Sequence, residues 1–218
     1  MLNLTGLSEK TRQVFELLAA DPVLQPYVLI GGTALAMHLN HRLSEDLDFC
    51  VWSIEPGKKI VGIPADSLLR TLSADNRQVE VLSLLPNQLA LVLNGVKLTF
   101  FADNENLPIT DIVAYNPNIR VAGLAALTGM KIGVMFNRET YRDYYDVYAI
   151  AQSDRPIRQM VSEAIAFKPY LNDRLIALKL TYPELQKEEN IQHLLPRYAV
   201  NVTMIANYFK ESFQKMNR

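Results

Sequence analysis

The sequence predicts an α+β protein in which a β-sheet with flanking helices is followed by a helical C-terminal region. Hydrophobic residues make up 49% of the 218 residues and charged residues 21%, which is typical of a globular protein with a substantial core. Runs rich in β-forming residues, separated by glycine and proline, are concentrated between residues 27 and 101. From Val121 onward almost every stretch has helical periodicity.

Four elements are predicted in the first 52 residues from periodicity and capping residues. They are a helix over Ser8–Ala20, a strand over Tyr27–Ile30, a helix over Thr33–Asn40 and a strand over Asp46–Trp52. Gly31-Gly32 is predicted to form a tight turn between the first strand and the second helix. Because side chains alternate along a strand, Asp46 and Asp48 are expected on one face.

The remaining elements follow a loop at residues 53–64. A helix is predicted over Pro64–Ala74, and strands over Gln78–Leu85, Gln88–Leu93 and Val96–Phe101, with Asn94-Gly95 as the hairpin turn. Helices are predicted over Val121–Phe136, Tyr141–Ala151, Ile157–Phe167, Asn172–Leu180 and Val200–Met216. We therefore expect an α/β domain over residues 1–115 and a helical domain over residues 116–218, packed across an active-site cleft.

Charge and cysteine content narrow the class of protein. The net charge is −1, but residues 1–109 carry −4 and residues 110–218 carry +3. An acidic half suited to a divalent metal beside a basic half suited to phosphates is one interpretation, and ordinary surface charge is the other. Cys50 is the single cysteine, so no intramolecular disulfide is expected. With no secretory signal and no apolar run of about 18 residues, the sequence predicts a cytoplasmic protein outside the membrane.

The segment Gly31–Phe49 combines two features that point to one chemistry. Paired glycines before a helix let the backbone approach a phosphate, which the free amides of the helix N-terminus bind. Two aspartates at alternate positions of a strand, Asp46 and Asp48, direct their carboxylates to one side and can share a hard divalent cation. Each pattern alone is common, but together they predict a site for a metal-bound nucleotide.

The same segment resembles the nucleotidyltransferase fold in its AbiEii/AbiGii toxin-type branch. The resemblance rests on a Gly-Gly-Thr turn at Gly31–Thr33, a His-Arg-x-Ser segment at His41–Ser44 and an Asp-x-Asp strand at Asp46–Asp48. It continues at Gly95–Phe101, which resembles the third core strand, and covers about residues 25–150. It implies a nucleotidyltransferase-like mixed β-sheet.

Two later motifs extend the resemblance. Lys131 corresponds to a phosphate-binding lysine of the family, and the segment from Arg142 to Asp146 resembles its Lys/Arg-Asp-x-x-Asp motif. A helix unbroken from Lys131 to Asp146 would also align Lys131, Arg138 and Arg142 in a basic stripe, whereas a break at Asn137–Thr140 would remove it. Interdomain or surface ion pairs are the structural alternative.

These comparisons yield one set of candidate residues. The predicted metal ligands are Asp46 and Asp48, which also count as catalytic together with Asp143 and Asp146, the candidates for activating the acceptor hydroxyl. The predicted nucleotide-binding residues are Gly31, Gly32, Thr33, Arg42, Ser44, Lys131, Arg138 and Arg142.

Thr99 departs from the family pattern. In active polymerase-β-like nucleotidyltransferases the third core strand usually supplies a third carboxylate, and the hydroxyl at the matching place here cannot replace it as a base. Mg²⁺ often takes only one or two protein carboxylates, so nucleotide binding survives this loss while a two-metal mechanism is less well supported. Glu80 and Asp103 are the substitutes considered.

The leading hypothesis is an enzyme dependent on Mg²⁺ or Mn²⁺ that moves a nucleoside monophosphate from an NTP to a hydroxyl. The resemblance implies an RNA or protein acceptor, an antitoxin partner and a toxin role in phage defence. One alternative is a nucleotide-binding or partner-binding protein of the same fold that lost turnover with the third carboxylate. A hydrolase of metal-bound phosphoesters is the third hypothesis.

Overall fold

The computed structural model describes residues 2–55, 57–185 and 189–216. Within these ranges the chain forms seven β-strands and eight α-helices, which confirms the predicted α+β class. The strands are β1 (Val28–Ile30), β2 (Leu47–Trp52), β3 (Val79–Leu85), β4 (Gln88–Leu93), β5 (Val96–Asp103), β6 (Ile112–Ala114) and β7 (Arg120–Ala122). The helices are α1 (Glu9–Ala19), α2 (Gly31–Leu39), α3 (Ala65–Leu72), α4 (Leu124–Val134), α5 (Tyr141–Ala151), α6 (Ile157–Phe167), α7 (Asp173–Thr181) and α8 (Val202–Met216).

The chain divides into two compact units. The first contains the residues up to His38 together with Leu43–Gly123, and the second contains Leu39–Arg42 and the residues from Leu124 onward. All seven strands found in the described residues lie in the first unit, and α4 to α8 lie in the second. The domains expected over residues 1–115 and 116–218, and the cleft between them, stay a prediction.

The first unit is built on one mixed sheet with the strand order β3-β4-β5-β2-β1-β7-β6. β2 pairs in parallel with β5, and β1 in parallel with β7, while the other neighbours are antiparallel. The β4–β5 hairpin turns at Asn94-Gly95, whose φ angles of 49° and 82° are those a type I′ turn requires. The sequence therefore predicted this turn from the residues that tolerate positive φ.

One face of the sheet carries the apolar core of the first unit. Phe49 of β2 and Phe100 of β5 are fully buried and stack with ring centroids 5.3 Å apart. Tyr27 meets Phe100 edge to face at the same centroid distance. Because neighbouring residues of a strand point to opposite faces, Asp48 and Thr99 project from the other face.

Three differences from the predicted elements affect the sheet and the helices that follow its strands. The helix expected from Thr33 begins at Gly31, so the two glycines form its first turn rather than a separate loop. β6 and β7 were not predicted, because strands of three residues are too short to show alternation. The helix expected from Val121 begins at Leu124, since Val121 pairs with β1 and β6 in the sheet.

The second unit is helical, as predicted, and the separate helices predicted over Val121–Phe136 and Tyr141–Ala151 correspond to α4 and α5. α4 ends at Val134, and α5 begins at Tyr141 with Thr140 as its N-cap, whose hydroxyl accepts a hydrogen bond from the Asp143 amide. The break considered at Asn137–Thr140 is therefore present, and the Thr140 cap satisfies an amide that the start of α5 leaves without a partner in the helix.

No helix in the described part of the chain is long and apolar enough to cross a membrane.

Gly129 of α4 provides a test of the packing in the second unit. A Cβ at Gly129 would lie 2.7 Å from the backbone oxygen of Glu163 in α6, whereas one at Gly133 would meet only side-chain atoms, the nearest at 3.2 Å. We expect Gly129→Ala to lower the free energy of unfolding by about 1–3 kcal/mol, since backbone cannot yield easily. Gly133→Ala is the matched control and should change it by less than about 1 kcal/mol, because the helix propensity of alanine offsets a smaller steric cost. Urea denaturation measures both, and equal losses would contradict this packing.

Candidate functional site

Gly31 brings the start of α2 against the carboxylate of Asp48. Ile30, the last residue of β1, pairs with Asp48 in β2, so Gly31 follows directly beside that aspartate. Gly31 has a φ of +74°, and a Cβ built on it would lie 2.9 Å from Asp48 Oδ2. Glycine is therefore required both by the backbone conformation and by the close approach of the carboxylate.

The segment that carries Asp46 is fixed by buried hydroxyl groups. The Thr33 hydroxyl in the first turn of α2 donates to the Asp46 carbonyl and lies 2.8 Å from Ser44 Oγ. Both residues are buried, and the Ser44 amide also donates to the Gly6 carbonyl at 2.8 Å. Thr33 and Ser44 were predicted to bind the nucleotide, and these hydrogen bonds favour a positioning role in which they hold Asp46 next to α2.

Asp46 and Asp48 are half-buried, and Thr99 is the register partner of Asp48 on β5. Neither proposed substitute takes the place of a third carboxylate. The Asp103 carboxylate accepts hydrogen bonds from the Glu105 amide and from Asn106, beyond the far end of β5. Glu80 is exposed on β3, which β4 and β5 separate from β2.

This donor set fits one Mg²⁺ or Mn²⁺ ion. Two carboxylates from one extended segment are sufficient for an ion that completes its coordination with water and phosphate oxygens. The bare backbone at Gly31 leaves room beside Asp48 that a side chain would fill. Among the described residues, no group of three or more histidine, cysteine, aspartate or glutamate side chains is arranged to hold a metal.

The second unit holds a buried ionic cluster around Asp146 of α5. The Arg42 guanidinium donates from Nε to Oδ1 at 2.7 Å and from Nη2 to Oδ2 at 2.8 Å. Lys131 Nζ of α4 lies 2.5 Å from Oδ2, and His41 Nε2 lies 2.8 Å from Oδ1. Asp146 is fully buried, and both oxygens of its carboxylate contact a cation or an imidazole.

The cluster fixes its own protonation states. Burial alone would raise the pKa of Asp146, but the charges of Arg42 and Lys131 and the hydrogen bond from His41 hold it well below its usual value. Burial lowers the pKa of His41, and the charges of Arg42 and Lys131 add to that effect against the attraction of Asp146. His41 is therefore neutral at pH 7 and donates from Nε2.

Asp143 lies one helical turn before Asp146 and is also buried. Its carboxylate accepts from the Thr140 hydroxyl at 2.8 Å, and it pairs with Arg138 at 3.3 Å and with Lys131 at 3.6 Å. The Arg138 side chain is 58% exposed, so this ion pair leaves much of its charge open to solvent. Arg142 instead pairs with Glu189 at 2.8 Å. Because Lys131 and Arg142 lie on different helices with different carboxylate partners, the basic stripe that an unbroken helix would align does not form.

The structure thus brings together ten of the twelve predicted residues, in one group within each unit. Gly31, Thr33, Ser44, Asp46 and Asp48 come together in the first unit. Arg42, Lys131, Arg138, Asp143 and Asp146 come together in the second.

The sequence left the role of His41 open between contacting a phosphate and orienting an aspartate, and it did not identify the partner. His41 binds an aspartate 105 positions away, and no local pattern signals such a pair. The Tyr145 hydroxyl donates to the His41 carbonyl at 3.0 Å, which fixes the segment that carries His41 and Arg42. This anchoring role of Tyr145 has no sequence signature.

Comparison with known proteins identifies related sequences and folds. The model of a family described as "Nucleotidyl transferase AbiEii toxin, Type IV TA system" matches residues 13–209. An uncharacterized protein of Aquifex aeolicus (strain VF5) is 25% identical over 195 residues, covering 87% of this chain and 89% of that protein.

Two solved structures share the fold. MenT4, a nucleotidyltransferase toxin from Mycobacterium tuberculosis H37Rv, has a TM-score of 0.52 and 14% identity, covering 95% of this chain and 86% of that chain. ANT(2″)-Ia in complex with adenylyl-2″-tobramycin has a TM-score of 0.52 and 14% identity, covering 75% of this chain and 100% of that chain.

Gly31 and Gly57 form a matched pair for testing the approach of Asp48. Their φ angles are +74° and +75°, but a Cβ at Gly57 would meet nothing within 4 Å. Alanine at either position is strained by about 1–2 kcal/mol. Gly31→Ala should lower the free energy of unfolding by about 1–3 kcal/mol more than Gly57→Ala, since it also displaces Asp48. Chemical denaturation measures the difference, and equal losses would show that Asp48 does not lie against Gly31.

Asp146→Asn tests the buried cluster. The substitution leaves Arg42 and Lys131 with a neutral partner and should lower the free energy of unfolding at pH 7 by about 3–5 kcal/mol. Because the folded-state pKa is below that of the unfolded chain, the stabilisation from Asp146 is complete above about pH 4 and is lost as the pH falls further.

Denaturation curves between pH 2 and 7 separate this contribution. Asp154→Asn, at an exposed position of the same unit, is the control and should follow the wild-type pH dependence. If Asp146→Asn kept the full acid loss of the wild-type protein, the assignment of that loss to Asp146 would be wrong.

Proposed function

The chain belongs to the AbiEii nucleotidyltransferase toxin family, and on that basis we propose that it transfers a nucleoside monophosphate from an NTP to a hydroxyl group of an RNA or protein. In this proposal it depends on Mg²⁺ or Mn²⁺ and acts as the toxin of a toxin–antitoxin pair in phage defence. The observation that carries the proposal is the approach of Asp48 to the glycine start of α2.

That approach supports a nucleotide site because it joins two kinds of group. The first amides of α2 have no partner within the helix and suit the oxygens of a phosphate. Asp46 and Asp48 would hold the divalent ion, which when bound neutralises phosphate charge and orients the nucleotide. Thr33 and Ser44 keep the Asp46 backbone in place through their hydrogen bonds.

The remaining assignments follow the family motifs. We assign Lys131, Arg138 and Arg142 to the phosphate charge of the nucleotide, and the substantial exposure of Arg138 supports its part. Asp143 and Asp146 stay candidates for activating the acceptor hydroxyl. Their burial and ion pairs favour a different role, in which Asp146 orients Arg42 and Lys131 as a positioning residue.

The proposed reaction is an in-line displacement at the α-phosphorus. The acceptor oxygen forms a bond to phosphorus as the bond to the bridging oxygen of pyrophosphate breaks, and the hydroxyl proton passes to a base. Pyrophosphate carries away the electron pair of the broken bond. Correct positioning and charge neutralisation supply most of the rate enhancement in such a transfer.

Thr99 favours one alternative within the same fold, in which the protein binds NTP without transferring it. A third carboxylate beside Asp48 would complete a two-metal site, and this chain has a hydroxyl at that register position. The transfer assay distinguishes the two functions.

The assay incubates the protein with Mg²⁺, each α-labelled NTP in turn, and total cellular RNA and protein. We expect label on one class of acceptor, and Asp48→Asn should lower the rate by about 100-fold or more. Asp66→Asn, which removes an exposed carboxylate from α3 of the same unit, is the matched control and should transfer normally.

Three outcomes would contradict the proposal in different ways. NTP binding without any transfer would support the alternative, and release of product from RNA with no NTP added would support a hydrolase. Transfer that Asp48→Asn leaves unchanged would remove the carboxylates from the mechanism.

A further inference from the structure

Arg120, the first residue of β7, has a guanidinium group that the protein itself does not use. No hydrogen bond or ion pair joins its side chain to any residue within the described ranges, and its Nε is buried without a partner. Most buried N–H groups in proteins are paired, and leaving one unpaired costs about 1–3 kcal/mol. The position of this cation therefore calls for a partner from outside the fold.

The neighbours of Arg120 in the sheet cannot be that partner. Arg120 pairs with Val28 on β1 and with Ala114 on β6, and Val28 in turn pairs with Cys50 on β2. None of the Val28, Ala114 and Cys50 side chains is an anion at neutral pH, and burial raises the pKa of the Cys50 thiol above its usual value. No side chain in this row of the sheet therefore offers an anionic partner to Arg120.

Register places Arg120 on the same face of the sheet as Asp48. Residues paired across neighbouring strands point to the same side, so Arg120, Val28 and Cys50 share a face, and Asp48, two positions before Cys50, lies on that face too. Arg120 is one strand across and two positions along from Ile30, so their Cα atoms are roughly 8 Å apart. A long arginine side chain covers most of such a distance. Because Gly31 directly follows Ile30, the guanidinium of Arg120 can reach the proposed nucleotide site.

We propose that Arg120 is a further nucleotide-binding residue, whose guanidinium binds the β- and γ-phosphates of the NTP. This inference rests on the proposed function, because it takes Gly31 and Asp48 as the nucleotide site. Guanidinium presents paired N–H donors that match phosphate oxygens, and it keeps its charge at any physiological pH. The unpaired Nε–H and the shared face with Asp48 select a polyphosphate as the ligand.

Inorganic tripolyphosphate is the probe, because it carries the phosphate chain without base or ribose. Isothermal titration with Mg²⁺ present measures its affinity for wild-type protein, Arg120→Ala and Arg120→Lys. We expect Arg120→Ala to bind it about 10-fold or more weakly and Arg120→Lys to lie between, since lysine keeps the charge but loses the paired geometry. Arg70→Ala, at an exposed arginine of α3 in the same unit, is the matched control and should bind as wild type.

Enzyme kinetics add a readout that a merely structural residue would not move. The KM for NTP should rise about 10-fold in Arg120→Ala with a much smaller change in kcat, while affinity for the nucleoside alone stays within about twofold. Thermal unfolding checks that each variant is folded, and Arg120→Lys carries the test if Arg120→Ala is not.

Several results would overturn the inference. The first is that folded Arg120→Ala binds tripolyphosphate as tightly as wild type, and the second is that Arg120→Ala and Arg70→Ala lose the same affinity for it. The third is that Arg120→Ala loses affinity for RNA but not for tripolyphosphate, which would assign the guanidinium to an RNA backbone. Failure of the proposed function is recognised separately, because wild-type protein would then transfer no label while the tripolyphosphate titration still reports on Arg120.

Discussion

The account of the first unit depends on one close approach, that of the Asp48 carboxylate to the backbone of Gly31. It arises because β1 and β2 are antiparallel neighbours and the chain turns from β1 directly into α2. The same turn presents the free amides of the helix, which attract a phosphate, beside a carboxylate. The carboxylate would repel a phosphate that has no cation bound to it. Amides and carboxylates at one place are compatible with a phosphate ligand when a cation lies between them, so this geometry and the dependence on Mg²⁺ or Mn²⁺ are parts of a single proposal.

The main electrostatic feature of the second unit is the buried ionic cluster around Asp146. Asp146 is buried with Arg42, Lys131 and His41, and removal of its carboxylate leaves two buried cations without their shared anion. Such a cluster resists rearrangement and holds long, flexible cationic side chains in one orientation. Neutralisation of buried charge inside the cluster thus accounts for the position of Lys131, without a catalytic role for Asp146. Arg138, at the exposed edge of the neighbouring Asp143 pair, has the freedom that a ligand contact needs.

The sequence was most informative where local rules decide the structure. α5 and α6 have the predicted bounds, because capping residues and periodicity act within a few positions. The proximity of the glycine pair to the Asp-x-Asp strand could also be predicted, since both lie in one short segment of the sequence. The pairing of His41 with Asp146 depends on residues 105 positions apart, and the Thr33 hydroxyl was read as a phosphate ligand when it donates to the Asp46 carbonyl. Long-range contacts and hydrogen-bond direction have no local signature, so these parts required coordinates.

Manganese binding measured by electron paramagnetic resonance, with a non-hydrolysable NTP analogue present, tests the central claim most directly. The account predicts that wild-type protein binds Mn²⁺ far more tightly with the analogue than without it. It also predicts that the double variant Asp46→Asn, Asp48→Asn loses this nucleotide-dependent binding while remaining folded. Unchanged Mn²⁺ affinity in that double variant would contradict the account, because the two aspartates beside the start of α2 would then not be the metal ligands.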